Sequence, residues 1–285
     1  MLAIRPRTLV ISVMPVITGV VLAYHDGPVI SWQLFLSCIV CCILIQIGTN
    51  LFNDAIDFKK GTDTSERLGP TRVTQSGLID AESVMLAGIL AYVIAVLFSI
   101  PLVIQGGWVI VCIGILSLYS GYAYTAGPVS IGYRGMGELF VILFFGLVAV
   151  MGTYYVQTLT VSIASFIAGL QIGVLACVVI AINNLRDIDE DGKSGKKTLA
   201  VRFGIRFARY EIMGLIISAY VLSLFWLFND RYWAFILPLI TLPLSFKLIN
   251  NIFTTASGSV YNIFLYQSIL LFVCFGVMTI AGTFL

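Results

Sequence analysis

Histidine is almost missing from this chain: His25 is the only one in 285 residues. A lone imidazole in a short loop excludes a histidine metal site and argues against a proton-shuttling transporter. Charge is scarce as well, at 11% of residues, where a soluble domain carries about 25%. All six cysteines (Cys38, Cys41, Cys42, Cys112, Cys177 and Cys274) fall inside apolar runs. Cys38-x-x-Cys41-Cys42 lacks a second Cys or His cluster to complete a metal site, so these read as buried, reduced thiols. There is no Gly-x-x-x-x-Gly-Lys-Ser/Thr segment, which excludes a P-loop nucleotide site. Gly132-Tyr133-Arg134-Gly135-Met136-Gly137 is glycine-rich but follows no strand pattern, so the dinucleotide fingerprint fails too. No nucleic-acid partner is expected.

What the chain has instead is apolar residues, 59% of the total, with a mean hydropathy of +1.02. No soluble fold of this size needs so much apolar surface, so the solvent must be lipid. Nine stretches approach the spanning length: 8–24, 33–54, 83–104, 108–125, 137–155, 163–184, 208–228, 232–250 and 261–284. Helices satisfy their own backbone in hydrocarbon, so the expected fold is all-α, a single transmembrane domain over 1–285 with nine helices around a cavity open to the cytoplasmic face. The tightest turn is expected at Gln105-Gly106-Gly107. Arg5 and Arg7 before Leu9–Tyr24 imitate a signal peptide, but Pro15 interrupts that run and no clean small-x-small cleavage site follows. A retained first span is the better reading.

The cations divide by side. The N-terminal segment and the loops after even-numbered spans, with their flanks, hold fifteen of the sixteen Lys and Arg, and the other side holds only Arg231. The positive-inside rule then puts the N-terminus in the cytoplasm, in the bacterial inner membrane as the expected location. Three long loops lie on that face, at about 55–82, 126–136 and 185–207.

Two of those loops begin with a shared polar pattern. Asn53-Asp54-Ala55-Ile56-Asp57 and Asn183-Asn184-Leu185-Arg186-Asp187 lie 130 residues apart, each with an Asn one helical turn before an Asp. The second continues to Asp191, and the first passes Gly61 to Asp63. Four helices separate the two, which preserves orientation, whereas inverted halves would need an odd offset. Carboxylates are costly near lipid, so two matched clusters on one face need a reason. Magnesium supplies one: it prefers oxygen and typically takes one or two carboxylates plus substrate phosphate oxygens. Lys59, Lys60, Arg67, Arg72, Arg134, Arg186, Lys193, Lys196 and Lys197 share these loops. Some meet anionic headgroups, and the mixed patch suits a metal-bridged diphosphate. Tyr119, Tyr122, Tyr124 and Tyr133 cluster nearby. They read either as an interfacial aromatic belt or as a π-lined wall for a developing cation. Glu138, where the fifth span starts, pairs with Arg134 or the helix dipole, or serves the site.

On these residues the chain resembles the UbiA superfamily of intramembrane aromatic prenyltransferases. Asn53, Asp54 and Asp57 match the start of its first motif, Asn-Asp-x-x-Asp-x-x-x-Asp, and Asp187 and Asp191 match its second, Asp-x-x-x-Asp. Position 61 departs, with Gly in place of the acid and Asp63 beyond it. That departure resembles the branch that prenylates 1,4-dihydroxy-2-naphthoate on the way to menaquinone. The same flavour shows in Gln46-Ile47-Gly48-Thr49-Asn50, Gly69-Pro70-Thr71-Arg72-Val73-Thr74-Gln75-Ser76-Gly77, Tyr133-Arg134-Gly135-Met136-Gly137-Glu138 and Gly195-Lys196-Lys197-Thr198-Leu199. The match fades after about residue 205.

The resemblance implies Mg²⁺-dependent transfer of a polyprenyl group from its diphosphate to the aromatic acceptor, with loss of CO2 and diphosphate. It implies Asp57, Asp63, Asp187 and Asp191 as metal-binding catalytic acids. Asn50, Asn53, Asp54, Lys60, Arg72, Tyr124, Arg134, Glu138, Asn183, Asn184, Lys196 and Lys197 are the expected substrate contacts. The other readings are a related enzyme with 4-hydroxybenzoate or a lipid alcohol as acceptor, and a transporter. Transporter sites sit at mid-membrane, whereas these charges gather at one face.

Overall fold

The computed structural model describes residues 3–27, 29–62, 68–69, 72–127 and 130–285; Asp63 and Arg67 lie outside the described residues. Every regular element among those described is helical, as the hydropathy requires. The helices are α1 (Val10–Asp26), α2 (Trp32–Lys59), α3 (Ala81–Ala123), α4 (Gly137–Thr158), α5 (Ile163–Arg186), α6 (Ile188–Lys193), α7 (Leu199–Leu227), α8 (Tyr232–Thr254) and α9 (Tyr261–Thr283). All but the six-residue α6 are long and apolar enough to cross a membrane.

Eight such helices among the described residues make nine crossings, because α3 is two spans in one. Its 43 residues reach about 65 Å at 1.5 Å per residue, twice the roughly 30 Å hydrocarbon core. The chain reverses at Gly107, whose φ of 63° and ψ of −149° are open only to a residue without Cβ. The expected tight turn is therefore a single positive-φ residue between two helical halves. Ahead of the seventh span, residues 199–203 form a short helical turn that Thr198 caps by accepting from Val201 N–H (3.3 Å), and a second glycine break at Gly204 separates it from the span proper.

α5 is the axis of the bundle. It packs against α1, α4, α7 and α9, and Ile172, Leu175, Ile182 and Leu185 are fully covered. Against α4 the backbones nearly touch: a Cβ on Gly146 would come within 2.5 Å of the Gly169 carbonyl and 2.6 Å of Gly173 Cα. Gly169 and Gly173 form a Gly-x-x-x-Gly stripe, which allows this approach in lipid, where packing rather than water exclusion holds helices together. α4 carries a π-helical stretch, Ile142–Val148, at this crossing. Against α7 the contact is polar. Gln171 Nε2 donates to Ser223 Oγ (2.8 Å), and Trp226 Nε1 donates to Gln171 Oε1 (2.9 Å). Through these contacts the ends of α2 and α5, which bear the two Asn-Asp patterns, come to the same end of the bundle.

Candidate active site

α2 is 28 residues long, about 42 Å, so about its last two turns, Phe52 to Lys59, extend beyond the hydrocarbon. The first aspartate of its motif organises a loop. Asp54, 1% exposed, accepts from the backbone N–H of Val73 and Thr74 (3.2 Å each) and from the Thr74 hydroxyl. Those bonds fix the start of the 72–79 turn and thereby Arg72, which reaches back to Asp57: Nη2 donates to Oδ2 at 3.3 Å. Asp54 thus acts on the structure of the loop, while Asp57, three residues on, faces the site.

Asp57 is 4% exposed and fully engaged. Its Oδ1 accepts from the Tyr133 hydroxyl at 2.7 Å, and its Oδ2 lies 3.7 Å from Lys196 Nζ. The same ammonium lies 3.7 Å from Asp191 Oδ1. One lysine therefore bridges the two acidic motifs, and the helix ends do face each other. Tyr133 is the hub of this arrangement. Lys60 and Lys196 lie 4.6 and 5.1 Å from its ring centroid, and its hydroxyl also exchanges a hydrogen bond with Thr62 Oγ1 (2.9 Å). Lys60 is held besides by the Thr125 carbonyl (2.7 Å) and Ser130 Oγ (2.9 Å).

Asp187 is fixed differently. Arg186, its chain neighbour and 2% exposed, donates Nε to Oδ1 (2.7 Å) and Nη2 to Oδ2 (2.6 Å), a bidentate charge-assisted pair. The guanidinium also bonds Asn183 Oδ1 and Asn262 Oδ1 (2.8 Å each), and Asn262 Nδ2 donates to the Leu68 carbonyl (3.0 Å). Arg186 thus ties the second motif to α9 and to the loop after the first.

The remaining expected residues separate. Glu138 and Asn184 meet at 2.6 Å, Nδ2 to Oε1. Asn53 accepts from the Thr125 hydroxyl, and Asn50 Nδ2 donates to the Ile4 carbonyl (3.2 Å), which anchors the N-terminal segment. Arg134 and Lys197 have exposed side chains at the rim, and their backbones form a strap. Lys197 N–H donates to the Tyr133 carbonyl (2.8 Å), and Arg202 Nη2 donates to the Arg134 carbonyl (2.7 Å). The four tyrosines also divide: Tyr119 is exposed, Tyr122 packs edge-on to Phe52, and only Tyr124 and Tyr133 reach the site. Burial first, then the charges of Glu138, Asp191 and Asp57, push the Tyr124 phenol up.

From Tyr124 a cavity of about 210 Å³ runs between α2, α3 and α4, lined by Cys38, Ile45, Ile113, Phe140 and Phe144 among others. Its lining on α4 extends from Phe140 to Val156, about 24 Å along the axis. Its walls are almost wholly hydrocarbon and its far end lies toward the opposite end of the bundle, near the α3 reversal. The site is therefore two joined parts, a salt-bridged acid–base cluster at the membrane face and an apolar channel below it.

The donor chemistry suits a hard divalent cation. Asp57, Asp187 and Asp191 offer carboxylate oxygens only, each with lone pairs left after its guanidinium or ammonium contact. Among the described residues no three His, Cys, Asp or Glu side chains converge to cage a metal alone. That fits magnesium, which is commonly held by one or two carboxylates with phosphate oxygens completing its shell.

Sequence and structure comparisons identify the family and the fold. The model of the UbiA prenyltransferase family matches residues 12–268. The 1,4-dihydroxy-2-naphthoate octaprenyltransferase of Haemophilus influenzae is 35% identical over 251 residues, 85% of this chain and 82% of that protein. The protein of the same name from Escherichia coli is 35% identical over 250 residues, 82% and 79% of the two chains. Among solved structures, a UbiA homolog from Archaeoglobus fulgidus bound to GPP and Mg2+ superposes with a TM-score of 0.71 at 16% identity, covering 99% of this chain and 98% of that one. The apo structure of a UbiA homolog from Aeropyrum pernix K1 gives 0.68 at 12% identity, covering 96% of each.

Proposed function

The chain belongs to the UbiA prenyltransferase family and is a multi-pass membrane prenyltransferase; from that premise we propose that it transfers a polyprenyl group from its diphosphate to 1,4-dihydroxy-2-naphthoate, in menaquinone synthesis. One observation carries the reading: an apolar channel about 24 Å long has Tyr124 in its wall, and the next residue, Thr125, holds Lys60 of the cluster of aspartates and cations through its carbonyl. The channel suits a polyprenyl tail and the cluster suits its diphosphate, so the allylic carbon comes to rest between them. The acceptor is assigned from the relatives that share 35% identity over most of both chains.

Within this reading each residue has a task. Lys60, Lys196 and Arg72 bind diphosphate oxygens, and Tyr133 keeps the two lysines in place around one ring. Asp57 and Asp191, which share Lys196, would hold magnesium together with the diphosphate oxygens, with Asp187 and Asp63 as the further acids expected there. When bound there, magnesium supplies Lewis-acid neutralisation of the leaving diphosphate. The channel walls exclude water from the allylic cation, which water would otherwise trap as the alcohol. The acceptor ring enters beside Tyr124, where Asn184 and Glu138 meet. The cation asymmetry supports an inner-membrane protein with a cytoplasmic N-terminus and site, acting as one domain over 1–285.

The test is direct. Purified protein in nanodiscs is given Mg²⁺, a polyprenyl diphosphate and either 1,4-dihydroxy-2-naphthoate or 4-hydroxybenzoate, and the lipid extract is analysed by mass spectrometry. A prenylated, decarboxylated naphthoquinol in the first arm alone is the expected result. Product in the second arm alone overturns the acceptor assignment.

A further inference from the structure

Among the described residues, Asp57, Asp187 and Asp191 are each bonded or paired to a cation, but one buried carboxylate at the site is not. Glu138 is 5% exposed. Its Oε1 accepts from the neutral amide of Asn184 at 2.6 Å, and its Oε2 is buried with no hydrogen-bond partner among the described residues. A buried carboxylate oxygen left without a donor is costly and uncommon, so its persistence calls for a ligand that supplies the missing hydrogen.

Its position says which ligand. Glu138 precedes Val141 by three residues, about one helical turn, and Val141 lines the apolar channel. Asn184, its partner, lies three residues before Asp187 on the same helix. Tyr124, at the channel mouth, lies so close that a Cβ on the adjoining Gly137 would come within 2.9 Å of its hydroxyl. Glu138 therefore sits at the junction of hydrocarbon channel and acidic cluster, where the bond to be broken lies. The titratable and charged neighbours are Tyr124, Cys177 on α5 and Glu211 on α7, all within electrostatic reach, and Tyr133 and Arg134 on the 132–134 turn that packs against the start of α4.

We propose that Glu138 is the general base of the transfer, taking through Oε2 the proton of the acceptor hydroxyl beside the reacting carbon; this rests on the acceptor reading above. As that O–H breaks, its electron pair moves into the ring, the ring carbon bonds to the allylic carbon, and the C–O bond electrons leave with the diphosphate. The adduct is a β-keto carboxylate. Loss of CO2 leaves its bonding pair as an enolate, which reclaims the proton from Glu138 and restores the aromatic diol. No proton is consumed overall, so a single carboxylate serves both directions. Asn184 is the positioning residue: by occupying Oε1 it turns Oε2 toward the channel mouth.

Glu138→Gln in the full chain tests this, since glutamine keeps an Oε1 that accepts from Asn184. We expect kcat to fall about 10²–10⁴-fold, the usual scale for loss of a general base, with KM for the polyprenyl diphosphate within about twofold. The acid-side fall of kcat with pH should flatten in the variant, and Glu138→Asp should recover part of the rate. A kcat within about threefold of wild type and an unaltered pH profile overturn the proposal. A second arm needs no variant: an acceptor methylated on the hydroxyl beside the reacting carbon should compete with the substrate yet remain unprenylated by the wild-type protein, and its turnover overturns the proposal equally. Wild-type protein that fails on 1,4-dihydroxy-2-naphthoate refutes the acceptor reading instead. The ratio of variant to wild type, taken on the acceptor that is used, judges Glu138.

Discussion

Replacing Tyr133 by phenylalanine and by leucine separates what its hydroxyl does from what its ring does. The hydroxyl donates to Asp57 at 2.7 Å, and a hydrogen bond to a charged group contributes about 1.5–3 kcal/mol. Asp57 keeps Arg72 and Lys196 in the variant, and Tyr133 is only half-buried, so the lower end applies. Tyr133→Phe should therefore lower kcat/KM about 10–20-fold, at 1.4 kcal/mol per decade. Leucine removes the two cation–π contacts as well, at 4.6 Å to Lys60 and 5.1 Å to Lys196. Each is worth about 0.5–1 kcal/mol at a partly exposed site, so Tyr133→Leu should lose a further 5–30-fold. That second loss should appear as weaker binding of the polyprenyl diphosphate, because the misplaced groups are its ammonium ligands. Steady-state kinetics with the diphosphate varied at saturating acceptor resolve the two effects. Equal losses in the two variants refute the role of the ring, and a Tyr133→Phe enzyme within twofold of wild type refutes the role of the hydroxyl.

Asp57→Asn and Asp187→Asn should each abolish Mg²⁺-dependent transfer while the protein inserts and purifies normally; retained activity in both removes these aspartates from the metal site. Gly146→Ala puts a methyl within 2.5 Å of the Gly169 carbonyl and should cost about 1–3 kcal/mol by overpacking, read as a lower midpoint of thermal unfolding in detergent. Trp226→Phe deletes the donor to the buried Gln171 Oε1 and should destabilise by about 1 kcal/mol, near the range for hydrogen bonds between membrane helices. That loss should leave the KM for both substrates unchanged.

Features set by local chemistry could be read from the residues alone. Twenty-residue apolar runs are imposed by bilayer thickness, so the all-helical fold and the number of crossings were legible. The reversal at Gly107 was recognisable because two glycines interrupt an apolar stretch. The Asn-x-x-x-Asp spacing was legible because it is a property of one helix. Pairings between segments were not. Lys196 was one of nine loop cations and one of the expected substrate contacts, but nothing in its neighbours tells that its ammonium bridges aspartates 139 and 5 residues away in sequence. Tyr133 looked like one of four interfacial tyrosines, and Arg186 like a topology-setting charge, until folding brought Asp57 and Asn262 to them. Asp54 is the instructive case. Its place in the motif put it among the expected substrate contacts, whereas its carboxylate is spent on the backbone of Val73 and Thr74, in a loop that folds back only in the tertiary structure.

The pairing of Asp57, Asp187 and Asp191 with cations also bears on how a diphosphate enters. Asp57 and Asp191 share Lys196, and Asp57 adds Arg72, so the acids and cations compensate one another within the protein. A diphosphate arriving alone would draw Lys196 and Arg72 toward its own oxygens and leave buried carboxylates unpaired, and breaking a buried pair in that way costs about 3–5 kcal/mol. A divalent cation arriving with it would remove that penalty, since Asp57 and Asp191 would hold the metal in place of the ammonium while Lys196 turned to phosphate. On the proposed reading, then, the ion pairs are placeholders that are exchanged rather than broken. The affinities of diphosphate and metal must rise together, each by the same factor that it confers on the other. Arg186 stands outside that exchange: locked to Asp187, Asn183 and Asn262 at 2.6–2.8 Å, it holds the frame of the second motif still while Lys196 and Arg72 change partners.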